Sequence, residues 1–180
     1  SFTLRSGAQG LAGAFDEWRA NVAVRRYKHD ELEGDTVGTR FTNNTADADV
    51  MASHRALGRM KGSVGAWFLN RAFNAIGAEA LSPAVDQRGG AAFAYEEVTW
   101  PHVTVQFGGR IDHTQYRPAG EPERSFTNGS GSVGLLLRPA KADDRLTIAA
   151  SLARASRAPA LEELFFFGLH HGNFAIELGN

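Results

Sequence analysis

An all-β, antiparallel transmembrane barrel is the fold class this sequence predicts, and three observations carry it. Apolar and polar residues alternate with a period of two in one segment after another. Turn-rich gaps separate these segments, and helical periodicity is scarce. The gaps also alternate in length: residues 57–61, 100–102 and 138–143 are short, whereas 30–38, 74–89, 117–124 and everything after Arg157 are longer. Short turns on one rim and long loops on the other characterise outer-membrane barrels, the short rim being periplasmic.

Each element follows from that pattern. Residues 1–5 read as a truncated first strand, and residues 6–15, rich in Gly and Ala, as a longer turn on the periplasmic rim. In residues 18–26, Trp18, Ala20, Val22 and Val24 share one face and Arg19, Asn21, Ala23 and Arg25 the other. In a soluble sandwich the apolar face would meet a core; in a barrel it would meet lipid, with the arginines in a wet lumen. Residues 39–56, 62–73 and 90–100 are further strands. In residues 103–112, Val103, Val105, Phe107 and Ile111 oppose Thr104, Gln106, Arg110 and Asp112. Val133, Leu135 and Leu137 oppose Ser132 and Gly134, with Leu136 breaking the alternation, and residues 144–156 alternate again. The total is about eight strands, several near the roughly 9 to 11 residues that a tilted strand needs to cross a bilayer. On this threading Trp18 and Trp100 fall near the periplasmic rim and Tyr27, Phe41, Phe73 and Tyr116 near the opposite rim, as two aromatic girdles would.

Composition bounds the function without deciding it. The 180 residues are 43% hydrophobic and 22% charged, with a formal charge of -1, so nothing points to nucleic acid. There are no cysteines, which closes disulfide frameworks and cysteine-ligated zinc. No run of eighteen apolar residues exists, which excludes a transmembrane helix and leaves a barrel open. No repeat, low-complexity linker or domain boundary stands out, so residues 1–180 read as part of one barrel domain. The chain opens without Met or a leader pattern and ends in a loop, as an internal fragment would.

Catalytic motifs fail on context. Gly129, Gly131 and Gly134 fit a dinucleotide-binding spacing, but a strand and turn follow where a helix is required. No nucleophile elbow and no His-x-x-x-His pair occurs among the six histidines. His170 and His171 are adjacent imidazoles that can bind a divalent metal if other ligands converge; the plainer reading is a pair of exposed polar loop residues. Glu31, Glu33, Asp35, Glu79, Asp86, Glu162, Glu163 and Glu177 are acidic residues of the long-loop side that could attract cations or merely keep loops solvated.

Several segments resemble one known family. Ser156-Arg157-Ala158-Pro159-Ala160-Leu161-Glu162-Glu163-Leu164, followed by Gly168-Leu169-His170-His171-Gly172-Asn173-Phe174, is similar to late barrel strands of TonB-dependent outer-membrane receptors. The stretch from Tyr27 to Phe41, Gly77-Ala78-Glu79-Ala80-Leu81-Ser82-Pro83, and Gly108-Gly109-Arg110-Ile111-Asp112 resemble the branch of zinc-uptake receptors. The resemblance implies a barrel of about twenty-two strands around an N-terminal plug, of which the plug and the C-terminal strands are absent here. It implies an outer-membrane receptor of a Gram-negative bacterium for TonB-energised uptake of a scarce nutrient. That nutrient is zinc or a metal chelate such as a siderophore or haem, taken as cargo and without a resident cofactor or catalysis. Partners would be TonB through the plug, outer-membrane lipid and the ligand. His170, His171 and Glu79 are its candidate metal contacts. A soluble β-sandwich binding module and a nonspecific porin are the alternatives.

Overall fold

The computed structural model describes residues 1–77, 80–139, 146–170 and 175–179, with side chains left aside at 169, 170 and 175–178. Eight strands form one antiparallel sheet in sequence order: β1 (Phe2–Gln9), β2 (Phe15–Glu33), β3 (Thr36–His54), β4 (Met60–Gly77), β5 (Val85–Thr99), β6 (Val103–Pro118), β7 (Arg124–Leu137) and β8 (Ile148–Arg154). A short helix, α1 (Leu161–Phe165), and a hairpin of β9 (Phe167–His170) and β10 (Ala175–Leu178) follow. The sheet does not close on itself among the described residues.

Alternation gives this sheet two chemically distinct faces. Registers place Leu4 beside Val22, Val22 beside Ala48, Ala48 beside Phe68, and Phe107 beside Val133, so apolar residues fall into rows across the strands. This outer face leaves Phe2, Leu4, Phe68, Ile111, Val133, Ile148 and Leu152 exposed, the last at 74%. An apolar surface of that extent needs a partner other than water. The sandwich alternative fails here, because no second sheet covers this face among the described residues.

The inner face is polar across the belt, and many of its side chains pair with one another. Asn21 donates to Asp49 at 2.9 Å, Arg25 pairs with Asp47, and Gln106 donates to Glu97 at 2.7 Å. Arg110 lies 5.7 Å from the centre of the Trp67 ring, a cation over an aromatic face.

Several expectations are corrected. Residues 30–38 are not a long loop: β2 and β3 run on to a turn of Gly34 and Asp35, with Glu33 opposite Thr36 and Gly34 at φ 62°. Likewise the gap at 117–124 shrinks to Ala119–Glu123, and Ser6–Gln9 belong to β1. Long and short connections therefore do not alternate as the sequence implied. The strands themselves are long: the 19 residues of β2, tilted by ~45°, rise about 45 Å against a hydrocarbon core of roughly 30 Å. In the β2 extension, Lys28, Asp30, His29, Glu31 and Glu33 make both faces polar, which is why sequence patterning reads it as a loop. The expected strand over 144–156 begins at Ile148, and Asp144 and Arg145 lie outside the described residues.

The last correction concerns the upper aromatics. Phe41, Phe73 and Tyr116 sit at the expected end of their strands but on the inner face, where they are buried or pack on buried residues, so they form no lipid-facing girdle. Trp18 keeps its outward position beside Ala8 and Ala52.

Candidate functional site

The segment after β8 folds back over the inner face at the end where these aromatics gather. Leu161, Leu164 and Phe165 repeat at helical spacing and bury themselves against Phe73, Ala75, Val85 and Tyr116. Five residues cannot sustain a helix alone, so packing holds it. Tyr116 donates its hydroxyl to the Pro159 carbonyl at 2.7 Å, which uses the one polar atom of an otherwise buried ring. Arg71 donates to Asn43 at 3.0 Å and to Glu162 at 3.1 Å, tying β3, β4 and α1 together.

Glu163 closes the helix start. Its carboxylate accepts from the Ala160 amide at 2.6 Å and from both terminal nitrogens of Arg157, at 2.7 and 3.1 Å. The Arg-Ala-Pro-Ala-Leu-Glu-Glu-Leu run thus folds as a self-capped lid on the inner face. Arg157 chiefly, then the Ala160 amide, holds the Glu163 carboxyl below the ordinary glutamate range. A lowered carboxylate pKa contributes stability that is complete above the unfolded value and lost as pH falls through the folded one. Acidification below about pH 4 is therefore expected to raise hydrogen exchange of α1 amides, and Glu163→Gln to remove that acid dependence.

Beside the lid lies a cavity of about 170 Å³ lined by His29, Glu31, Phe41, Phe73, Ala75, Leu81, Ser82 and Phe166. The His29 ring stacks on Phe41 with centroids 4.6 Å apart and planes 9° from parallel. Its Nε2 lies 3.6 Å from a Glu31 oxygen, and its Nδ1 is buried with no hydrogen-bond partner among the described residues. A buried nitrogen lone pair or N–H left unmatched is costly. Loop residues Leu81 and Ser82 form the other wall, anchored where Phe167 donates its amide to the Leu81 carbonyl at 2.8 Å.

Of the residues singled out from sequence, Glu79 and His171 lie outside the described residues, as does the His170 side chain. The backbone places His170 at the end of β9, paired with Ala175, and β9 starts against Leu81. Among the described residues no three of His, Cys, Asp or Glu converge as a metal cluster. Sequence reasoning treated His29 as one of six histidines and Glu31 as loop solvation. The signal that joins them is their spacing of two: once β2 is known to continue past Tyr27, Tyr27, His29 and Glu31 must share a face.

Similarity to known proteins matches this geometry. The solved structure of the copper transporter OprC superposes with a TM-score of 0.70 at 18% identity, over 91% of this chain and 31% of that one. The chain thus spans about a third of that transporter's length, and the likeness speaks for the fold alone. A family model for the TonB-dependent receptor-like β-barrel matches residues 3–180. The eight-stranded sheet is a stretch of such a barrel, and the chain belongs to the TonB-dependent receptor family.

Proposed function

We propose that the chain forms part of an outer-membrane receptor of a Gram-negative bacterium that captures a metal, as the ion or as a chelate, for TonB-driven import. The observation that carries this reading within the family is the cavity beside the lid, lined by Glu31 and by His29, whose Nε2 lies 3.6 Å from Glu31 and whose Nδ1 is unmatched among the described residues. Imidazole and carboxylate are ligands for zinc and for copper alike. Two donors are too few for a closed zinc site, which takes four. Aromatic walls of Phe41, Phe73 and Phe166 suit a chelate with apolar surface, or an ion whose remaining ligands come from Glu79, His170, His171 or elsewhere in the receptor. The metal is cargo, released by motion and not transformed.

Zinc is the cargo favoured by the sequence resemblance, and copper is the one named for OprC. Uptake of radioactive zinc and copper by cells expressing the full-length receptor, with and without functional TonB, separates them. Saturable uptake of one metal that vanishes without TonB is the expected result; uptake of neither sends the search to siderophores and haem. His29→Ala combined with Glu31→Gln is expected to weaken capture by about tenfold or more, as is replacement of His170 and His171 by Ala. Unchanged affinity would remove the tested pair from the site.

A further inference from the structure

The outer face carries a feature that metal capture does not use. On β2 the apolar row of Trp18, Ala20, Val22 and Val24 ends at Arg26; on β5 Ala94, Ala92 and Gly90 end at Arg88; on β8 Ile148, Ala150 and Leu152 end at Arg154. All three arginines are exposed, and none makes a hydrogen bond or ion pair among the described residues. On β3, β4 and β6 the same margin holds Asn44, Asn70 and His113, so it has no acid. Three outward carboxylates lie near this margin: Asp86, two residues beyond Arg88; Glu123, which Arg117 holds at 2.8 Å and which Gln115, the cross-strand neighbour of Arg88, also binds; and Asp30, which Arg40 engages at 2.8 Å. At the opposite margin outward His54 and Glu96 meet at 2.9 Å, an ion pair when the imidazole is protonated.

Arg88 also has a groove beneath it. A depression of about 550 Å³ on this face is walled by Val22, Ala46, Ala48 and Phe68 and reaches Asn70 and Arg88. An apolar trough ending at a guanidinium matches an amphiphile with a hydrocarbon tail and an anionic head. A guanidinium engages phosphate oxygens in a bidentate manner, which a hydrated surface arginine forgoes.

We propose that this face binds a phosphate-bearing lipid, its chain in the Phe68 trough and its phosphate on Arg88, with Arg26 and Arg154 repeating the phosphate contact along the belt's margin. The proposal rests on the membrane-receptor reading. It adds that the margin above the belt discriminates lipid headgroups by charge.

Native mass spectrometry of the full-length receptor, offered phosphatidic acid or diacylglycerol of identical chains, tests it. Retention of phosphatidic acid over diacylglycerol is expected, weakened roughly fivefold by Arg88→Gln and by tenfold or more in the Arg26→Gln, Arg88→Gln, Arg154→Gln variant. Millimolar inorganic phosphate is expected not to displace the lipid; displacement would mark a free-phosphate site and overturn the proposal. Equal retention of both lipids, or an unchanged triple variant, would also overturn it. In parallel, brominated acyl chains report on Trp18, by difference from Trp18→Phe. Quenching without headgroup preference sinks the lipid site alone, whereas absence of quenching sinks it together with the membrane reading.

Discussion

Leu161→Ala is expected to free the lid, residues 159–166, from the inner face while β1 to β8 stay paired. Leu161 is 1% exposed and sits among Phe73, Val85 and Tyr116. Truncating such a leucine costs about 2 to 5 kcal/mol, and a five-residue helix has no cooperativity of its own to absorb the loss. The sheet does not depend on α1, because its ladder runs strand to strand. Hydrogen exchange of amides 161–166 in the full-length receptor should rise on the order of thirtyfold or more, with exchange in β4 to β6 unchanged. Since Phe166 also lines the His29 cavity, the metal capture proposed for that cavity should fall in parallel. Protection equal to the parent's would show that Leu161 packing does not hold the lid.

Gly77→Ala should disrupt the upper end of the β3–β4 pair. Gly77 lies opposite Thr39 at φ 140°, a conformation that L side chains rarely adopt, and an added Cβ would run into the Gly38 carbonyl and the Thr39 backbone. Neither obstacle can swing aside as a side-chain tip could. Strain of this kind costs about 1 to 3 kcal/mol before the steric clash is added. The urea midpoint of the full-length receptor is therefore expected to drop, whereas Gly129→Ala, with open space around the new Cβ, should leave it unchanged. Equal midpoints for both variants would show that the Gly77 backbone relaxes freely.

How much of this was legible in the sequence depends on where each residue sits relative to the apolar belt. Trp18 to Val24 and Val103 to Ile111 alternate because one face meets an apolar medium and the other a polar interior; that contrast is local and survives in the sequence. In the extensions of β2 and β3 charged residues stand on the outward face too, so Asp30 and Arg40, hydrogen-bonded across the strands, resemble solvated loop residues. The sides taken by Phe41, Phe73 and Tyr116 were hidden for a related reason. Aromatics near strand ends suit either lipid or lumen, and only the arrival of α1 from far along the chain decides between them. The helix itself spans too few residues to leave a periodic trace, and the Tyr116 to Pro159 bond joins residues 43 positions apart. Of the candidate site, the histidines and carboxylates were visible as residue types. The pairing of His29 with Glu31 required knowing that β2 continues to Glu33.

Every strand of the large sheet pairs only with its sequence neighbours, from β1 through to β8. A duplication or loss of one hairpin would therefore leave all other pairings as they are, changing the circumference by two strand widths, about 10 Å, without rethreading the chain. Bore size and the chemistry of the inner face can then diverge independently: gene-level hairpin copying sets the first, and substitutions within a strand set the second. Such a modular wall gives evolution separate handles on the width of the barrel and on the side chains that line it.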